Sequence, residues 1–585
     1  MLADLKSAAR WLRRSPGFAT VAILSLGLGI GANTAMFSLV DAVLLRPIPV
    51  TDPGSLVDVF TSSSDGDQYA TSSYPDFLDL KAQNTVFTDM AGYTPMFAPL
   101  SLGDRARLVM GQVVTSNHFN LLGVPPLMGR MLQPSDDEPG AERVVVIAHR
   151  LWSTDFGRDP AVVGKTLQLR GLPYRIVGVA PASFTGVIAL FIPELWLPVA
   201  HVEEVEAAGI NDIVPSPTGR TQLERRGSRF LFVKGRLRAG ATATGAHANM
   251  AVLGAQLAQA YPETNRTRVV SAFATSDVRL LVPQAGGPLS IGSAGVMAVV
   301  GLVLLIACAN VAGMLLARAS ARNREISVRL ASGASRWQIV RQMMSEGLVL
   351  GLCGASVAVG LAGAVIRLLV SIRLPIPGSM ALDIRLDARV LGFAVVVAVA
   401  AGLLAALTPA LKASSMRLAG GLRGEIASTR LGGRRWALRD VLVVSQLALT
   451  AVLLVVAGLL LRSLAASQVA DIGFRTDGVA AVATDTDMVR YSPERGEQFW
   501  AEALERVKRI PGVEAAALVT PRMLFDVNFS QTSIRIDGKT YGPDERGESV
   551  SNVAISPGYF DVLGIPLVEG RGINDTDRKG APLVA

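Results

Sequence analysis

The stretch RASARNREISVRLASGASRWQIVRQMMSEG, residues 318–347, decides the fold because it sets a basic segment between two long apolar runs. Ile326 and Leu330 are four residues apart, so they share one face of a short helix, while Arg322 and Arg329 point elsewhere. Basic segments beside apolar runs stay on the cytoplasmic side of a membrane. The pattern therefore predicts an amphipathic helix that lies on the inner surface of a bilayer.

The second half of this stretch predicts a break followed by another helix. Gly333 can adopt the left-handed conformation that ends a helix. Ser335 and Gln338 have the spacing of a capping box, which opens the next helix. Residues 318–346 would then form a helical elbow. Two interpretations remain open from the pattern alone: a solvated basic loop, or a docking element for a cytoplasmic partner.

Composition indicates a membrane protein with sizeable soluble parts. Half of the 585 residues are hydrophobic and 18% are charged, with a mean hydropathy of +0.39; a chain of spanning helices alone would be more apolar. The net charge of +8 lies beside apolar runs, which argues for cytoplasmic loops and against nucleic acid as a partner. The two cysteines, Cys308 and Cys353, both lie in apolar runs, so a disulfide framework is not expected.

Five apolar runs exceed or match the roughly 20 residues that cross a bilayer. They are residues 18–45, 291–317, 347–370, 390–411 and 441–461. Basic residues dominate 1–17, 318–346 and 412–440, which places these segments and the N-terminus in the cytoplasm. Residues 1–17 are predicted to be an amphipathic helix on the inner leaflet. The segments 46–290, 371–389 and 462–585 then lie outside.

A cleaved signal peptide is the competing interpretation of the first run, but its apolar core would be only about 7 to 15 residues long. Small and polar residues within the runs predict close helix contacts and side chains that face protein instead of lipid. The glycines with this role are Gly27, Gly29, Gly31, Gly351, Gly354 and Gly360, and the polar residues are Asn33 and Gln446.

Residues 46–290 are too long and too polar for a loop, and their patterns predict a mixed α/β domain. Helices are predicted at 74–83 and 241–261, and strands at 143–148, 166–170, 174–179 and 230–233. Gly164, Lys165 and Thr166 resemble a phosphate-binding loop, but Asp159 occupies the position of its first glycine. Because a strand pattern follows instead of a helix, nucleotide binding is rejected there.

Motifs for catalysis or metal binding are not found in the sequence. The four histidines lack metal-ligand spacing and are interpreted as surface residues: His118, His149, His201 and His247. Asp136, Asp137 and Glu138 are interpreted as a solvated turn after Pro134 and not as a cation site. The chain has no Walker A sequence, so we expect no enzyme activity, cofactor or metal of its own, and ATP would be hydrolysed by another polypeptide.

Three stretches resemble the FtsX-like permeases, a group that includes the macrolide exporter MacB and lipoprotein-releasing permeases. They are RNREISVRLASGASRWQIVRQMMSEG at 322–347, FGRDPAVVGKTLQLRGLPYRIVGVA at 156–180 and TPALKAS at 408–414. The resemblance implies an inner-membrane permease whose elbow sits in a cleft of a separate ABC-type ATPase. It implies polar contacts to the ATPase from Glu325 and Arg329, burial of Ile326 and Leu330, and a bend at Gly333, within an elbow that extends from Arg322 to Ser335.

An internal repeat relates two parts of the chain. HFNLLGVPPLMGR at His118–Arg130 recurs as YFDVLGIPLVEGR at Tyr559–Arg571. This duplication resembles the tandem permeases common in Acidobacteria, and it implies a homodimer or a pseudo-dimer. The second copy stops where the first forms a strand, so we expect a truncated chain or gene model whose complete form would carry three more spans.

Two other functional classes remain open. The first is a regulator that uses the same ATP-driven motion to activate an envelope enzyme, as FtsX itself is thought to do, with an envelope partner outside the membrane. The second is an ATP-independent receptor or adhesion protein whose outer domain binds a ligand. A neighbouring ATPase gene would argue against the second class.

Overall fold

A computed structural model gives the coordinates of the 585-residue chain. The structure describes residue 10 and residues 12–63, 69–102, 105–188, 191–207, 221–278, 286–321, 328, 332, 335–371, 384, 386–414, 438–469, 473–482, 491–519, 531–534, 536, 538, 548–551, 553–577 and 581.

Twelve helices of four or more residues are described besides short 3-10 turns. They are α1 Pro16–Val40, α2 Tyr74–Gln83, α3 His118–Leu122, α4 His149–Thr154, α5 Ala243–Ala260, α6 Pro262–Asn265, α7 Gly286–Ala321, α8 Arg336–Ser371, α9 Ala388–Ser414, α10 Leu438–Val469, α11 Pro493–Lys508 and α12 Tyr559–Leu563. A π-helical turn, Asp41–Leu45, continues α1.

Fourteen strands are described. They are β1 Leu56–Ser63, β2 Ser72–Ser73, β3 Phe87–Leu102, β4 Arg105–Val114, β5 Met128–Gly129, β6 Val144–Ile147, β7 Thr166–Leu169, β8 Leu172–Val179, β9 Leu195–Pro198, β10 Glu206–Ala207, β11 Arg229–Leu237, β12 Arg268–Ala274, β13 Gln531–Ile534 and β14 Glu548–Ser551.

The chain divides into two compact units. The helical unit comprises Met1–Arg46, Gly287–Leu374 and Leu382–Ala470, and the α/β unit comprises Pro47–Gly286, Pro375–Ala381 and Asp471–Ala585. Within the described part of the helical unit, five helices are long and apolar enough to cross a membrane, at Pro16–Leu45, Ser290–Ala319, Arg336–Leu368, Ala388–Leu407 and Val443–Ser467. Each predicted apolar run lies within one of the described helices, as its length and hydropathy dictate.

Glycines bring the spanning helices into close contact, although not on a single face. A Cβ added at Gly27 would lie 2.9 Å from Val357 of α8, and one at Gly31 would lie 3.4 Å from Ala358. Gly29 instead faces α7, where an added Cβ would lie 3.1 Å from Leu304. The predicted close contacts of α1 are therefore confirmed, but they are shared between two neighbouring helices because residues two apart point in different directions.

Polar side chains in the spans bind neighbouring helices as predicted. The Asn33 amide donates to the Val300 carbonyl of α7 over 2.8 Å, and Asn33 is 4% exposed. The Gln446 amide of α10 donates to the Asn310 side chain of α7 over 2.7 Å. Hydrogen bonds of this kind join helices in a bilayer, where water is not available as an alternative partner.

The α/β unit is built on a mixed sheet whose strand order is β12-β1-β11-β3-β4-β9-β6-β8-β5. The pairs β4–β9 and β6–β8 are parallel, and the other pairs along this path are antiparallel. Two buried clusters of side chains form its core. The helices predicted at 74–83 and 241–261 are confirmed as α2 and α5, and the four predicted strands as β6, β7, β8 and β11.

The rejected phosphate-binding loop is a β-turn region in the structure. Thr166 begins β7, so a strand follows Gly164 and Lys165 instead of a helix N-terminus. The Asp159 carboxylate accepts the Ala161 N–H and caps a short 3-10 turn. The segment therefore lacks the ring of N–H groups at a helix start that cradles phosphate.

Two predictions about polar residues of this unit are wrong. His118 and His201 are buried, at 1% and 6% exposure, although all four histidines were expected at the surface. The acidic run is not a solvated turn: Asp136 is 6% exposed, and Asp137 accepts the Ser116 N–H over 2.7 Å. Sequence patterns miss such burial because it depends on partners that are distant in the chain.

The two copies of the internal repeat form equivalent hydrogen bonds in the structure. Helix α3 ends at Gly123 with φ +66°, and α12 ends at Gly564 with φ +65°. In the first copy the N–H of Val124 bonds the Phe119 carbonyl, and in the second the N–H of Ile565 bonds the Phe560 carbonyl. Both helices therefore close with the same Schellman motif, which requires a residue that tolerates positive φ.

The repeat continues past the matching sequence. The Arg130 guanidinium binds both carboxylate oxygens of Asp136, at 2.7 and 2.9 Å. Arg571 binds Asp577 in the same way, at 2.6 and 2.7 Å. Segments upstream match too, since Thr51 donates its N–H to Leu122 and Arg475 donates its N–H to Leu563.

Candidate coupling site

Of the predicted elbow, 318–346, residues 318–321 belong to α7 and residues 336–346 belong to α8. Most of the candidate residues between them lie outside the described part of the chain. Ser335 is described, as are its neighbours Val328 and Ser332. Val328 is helical, and the Ser332 N–H donates to its carbonyl over 2.9 Å, as in a helical turn. The candidates outside the described residues are Arg322, Glu325, Ile326, Arg329, Leu330 and Gly333.

The predicted capping box at the start of α8 is confirmed. The Gln338 N–H donates to the Ser335 hydroxyl over 3.3 Å, and the Ser335 N–H donates to the Gln338 side-chain oxygen over 2.9 Å. Two N–H groups that a helix start leaves without partners are thereby satisfied. Helix α8 consequently has a defined start immediately after Ser335.

The first turns of α8 combine exposed and buried side chains. Trp337 is 69% exposed, whereas Ile339 is 6% exposed. Glu346 is 8% exposed within a helix that is apolar enough to span a membrane, and the Gln342 amide lies 3.5 Å from its carboxylate. A carboxylate at such a position is costly unless it is solvated or hydrogen-bonded by neighbouring groups.

The end of α7, which precedes the candidate residues, packs against the start of α1. The Arg318 guanidinium lies over the Phe18 ring, 4.7 Å from its centroid. Leu12, in the helical residues before α1, is buried with Ala19 and Leu315. A cation–π contact and apolar burial therefore hold the start of α1 against the end of α7.

Helix α8 is in backbone contact with α9 immediately after the elbow. A Cβ added at Gly347 would lie 2.4 Å from the Gly402 carbonyl oxygen, and one at Gly351 would lie 2.3 Å from the Ala398 carbonyl oxygen. Only glycine fits where two helix backbones approach so closely. Helices α8 and α9 are therefore packed backbone to backbone at Gly347 and Gly351.

Further along the chain, a different face of α8 packs against α1. A Cβ added at Gly354 would lie 3.1 Å from Leu26, and Ala358 packs against Gly31. The predicted role of Gly360 is not found, because no described atom lies within 4 Å of its added Cβ. Helix α1 and its π-helical turn are followed by Arg46, after which the chain enters the α/β unit, so α8 contacts the helix that precedes that unit in the sequence.

His118 is an ionisable residue that lies in the core of the α/β unit. Burial, reinforced by the Lys234 charge, lowers the pKa of His118 to about 3, so its ring is neutral at physiological pH. Neither ring nitrogen has a hydrogen-bond partner among the described residues, and the ring contacts Tyr93 and Phe119. Among the described residues no group of three or more His, Cys, Asp or Glu could hold a metal ion.

Two family models match the sequence. The model of the MacB-like periplasmic core domain matches residues 19–250, and that of the FtsX-like permease C-terminal region matches residues 297–418. The chain belongs to the MacB/FtsX-like ABC permeases. As such it is a multi-pass membrane protein with periplasmic domains and a permease-type role, and permeases of these families generally work with a separate ATPase.

Solved structures similar to part of the chain include domains of MacB, of the transporter YknZ and of a putative permease. The periplasmic region of MacB from Actinobacillus actinomycetemcomitans is 15% identical over 39% of this chain and 91% of that one, with a TM-score of 0.27. The extracellular domain of the noncanonic ABC-type transporter YknZ from Gram-positive bacteria is 12% identical over 37% and 98%, with a TM-score of 0.27. A domain of a putative permease protein from Porphyromonas gingivalis is 14% identical over 40% and 98%, with a TM-score of 0.30. No curated protein matches the sequence.

Sequence reasoning missed a charged cluster in the helical unit. Asp41 lies within the first predicted span, and it is 1% exposed. Its carboxylate lies 3.3 Å from the Arg46 guanidinium. An acidic residue in an otherwise apolar run was the available signal, because such a group is costly to bury without a partner.

Proposed function

We propose that this chain is the permease subunit of an ABC-type efflux or mechanotransmission complex that couples ATP hydrolysis by a separate ATPase to motion of its periplasmic domains. The chain would carry no cofactor itself, since ATP binds the partner. Its site is the inner membrane, with the N-terminus in the cytoplasm.

One observation carries the proposal: the capped start of α8 at Ser335 is continuous with the spanning helix that contacts both α9 and α1. In a helix of 36 residues, which is about 54 Å long, a push at the first turn is transmitted along the axis with little loss. The tight glycine contacts distribute that push to two neighbouring helices. The arrangement suits a lever that is driven from the cytoplasmic side.

The roles of the elbow residues follow from their chemistry. Ile326 and Leu330 would fill an apolar cleft of the ATPase, and Glu325 and Arg329 would make polar contacts at its rim. Gly333 would provide the bend between the amphipathic helix and α8. Arg322 and Ser335 mark the two limits of the elbow.

Substitution of Leu330 tests the elbow directly. Leu330→Asp places a charge on the apolar face, so we expect loss of most of the ATPase that co-purifies with the chain from native membrane. Val328→Asp is the matched control, because Val328 is 54% exposed and would lie on another face of the predicted amphipathic helix. Equal recovery of the ATPase with both variants would contradict the assignment of the elbow.

Further partners belong to the same proposal. The internal repeat supports a pseudo-dimer within one chain or a homodimer of two, and the apolar helices require membrane lipid. An envelope partner would bind the periplasmic domains. Stimulation of a cell-wall hydrolase without any export would favour the FtsX-like regulator, whereas function without an ATPase would favour a receptor or adhesion protein.

A further inference from the structure

The outer end of α1 departs from ideal helix geometry. Residues Asp41–Leu45 form a π-helical turn, closed by the Arg46 N–H, which donates to the Asp41 carbonyl over 2.7 Å. Single π-helical turns are uncommon and often mark functional positions. The second copy of the repeat differs here, because α10 continues as an α-helix to Val469.

The π-helical turn brings two opposite charges to the same face. In an α-helix, a residue five positions along is rotated about 140° from the first one. A π-helical turn, with its hydrogen bonds between residues five apart, is wider, so that residue lies closer to the face of the first. The Arg46 Nε accordingly donates to the Asp41 carboxylate over 3.3 Å, and the Asp41 side chain is only 2% exposed.

Arg46 also reaches the start of a second spanning helix. Its Nη2 lies 3.2 Å from Oδ2 of Asp387, the residue that precedes α9. The other carboxylate oxygen of Asp387 accepts the N–H groups of Arg389 and Val390, at 3.0 and 3.1 Å, and so caps α9. One carboxylate therefore serves as a helix cap and as the partner of a cation on another helix.

An aromatic contact joins the same two helices. The Phe37 ring of α1 stacks on the Phe393 ring of α9, with centroids 4.0 Å apart and planes 8° from parallel. Each ring lies within ten residues of the charged group on its own helix. Stacking therefore supports the ion pair in holding the outer ends of α1 and α9 together.

We propose that Asp41, Arg46 and Asp387 form a clasp that fixes the outer end of α1 to the start of α9 at the point where the chain leaves the helical unit. Arg46 is its positioning residue, and the π-helical turn is the device that aims it. Resting on the proposed function, the clasp makes α9 the second route by which motion of α8 reaches the periplasmic domain. Without it, α1 would follow α8 only through the glycine contacts deeper in the bundle.

Hydrogen exchange on the full-length chain in nanodiscs tests the clasp without any ATPase. Asp387→Asn retains the ability to cap α9 but removes the charge, so we expect roughly fivefold faster exchange in residues 41–46 and unchanged exchange at the start of α9. Arg389→Gln is the matched control, because it removes an exposed charge two residues away and leaves the clasp intact. Equal exchange in the two variants would overturn the proposal.

Variants at Arg46 separate charge from packing. Arg46→Lys keeps a cation and should retain most of the protection of residues 41–46, whereas Arg46→Gln should lose it to the same extent as Asp387→Asn. Retention of full protection by Arg46→Gln would overturn the clasp, since no ion pair would then be needed.

Addition of the ATPase then tests transmission. With ATP, Asp387→Asn should bind the ATPase as the wild type does but show a several-fold smaller change of exchange in residues 47–63. An unchanged response would overturn the role in transmission. Failure of the wild type to bind any ATPase would count against the proposed function, while the exchange of residues 41–46 in the chain alone would still decide whether the clasp exists.

Discussion

Glu204 is held by three side chains of the α/β unit. Its carboxylate accepts two bonds from the Arg143 guanidinium, at 2.8 and 2.9 Å, and one from the Tyr174 hydroxyl at 2.6 Å. His201 lies 3.4 Å away on the same turn. Burial alone would raise the pKa of Glu204, but hydrogen bonds from His201, Arg143 and Tyr174 bring it down to about 2.

This low pKa predicts a pH-dependent contribution to stability. Because the folded pKa lies below the value of about 4.3 in an unfolded chain, the contribution is complete above pH 5 and is lost as the pH falls toward 2. We expect Glu204→Gln to lower the melting temperature of the chain at pH 7 by several degrees, and the gap to the wild type to narrow below pH 4.5. Thermal unfolding in detergent, followed by tryptophan fluorescence, measures the melting temperature of each protein at each pH.

The matched control is Glu203→Gln, which removes a neighbouring exposed carboxylate. It should leave the pH dependence unchanged. A difference in melting temperature between the wild type and Glu204→Gln that stays constant from pH 7 to pH 3 would contradict the prediction. It would show that the hydrogen bonds do not favour the charged form of the Glu204 carboxylate.

At the scale of elements, α8 organises the helical unit because its glycines lie against two helices. Gly351 meets the backbone of α9, whereas Gly360 has open space at its Cβ position among the described residues. Both were predicted from sequence as packing positions. Glycine content alone could not distinguish them, because the neighbour that a glycine faces is set by helix orientation.

The two glycines form a matched pair for mutation. Gly351→Ala would place a methyl group 2.3 Å from the Ala398 carbonyl oxygen, so α8 and α9 must separate, and we expect a loss of about 2 kcal/mol in the free energy of unfolding. Gly360→Ala should be neutral or stabilising by up to about 1 kcal/mol, because alanine favours the helix. The free energy of unfolding of the two variants can be compared in mixed micelles. Similar destabilisation by Gly351→Ala and Gly360→Ala would contradict the close contact of Gly351 with α9.

At the scale of the whole molecule, the arrangement of charge predicts which parts face the cytoplasm. We expect a membrane-impermeant maleimide to label Ser276→Cys and Glu497→Cys in intact spheroplasts, because residues 46–290 and 462–585 are predicted to lie outside. Ser332→Cys, in the elbow, should react only after the membrane is permeabilised. The assay requires a background in which Cys308 and Cys353 are replaced by serine. Labelling of Ser332→Cys in intact spheroplasts would show that the elbow faces the periplasm. The predicted topology would then be wrong, and coupling to a cytoplasmic ATPase would have no basis.

Local patterns in the sequence were enough for much of this molecule. Apolar length indicated five spans, the spacing of Ser335 and Gln338 indicated a helix cap, and alternation indicated strands such as β6 and β8. Each of these features depends on residues within one or two turns of each other. The repeat was also visible, because Gly123 and Gly564 stand at the same place in similar stretches.

Tertiary structure alone decided which distant residues meet. Arg46 and Asp387 are separated by 341 positions, and no spacing rule relates them. The same holds for the burial of His118, and for the bonds of Thr51 and Arg475 that extend the repeat upstream. The sequence by itself determined the helices and strands, because hydropathy and capping act locally. The contacts between these elements arose only on packing, where the free energy depends on shape and on partners brought together by the fold.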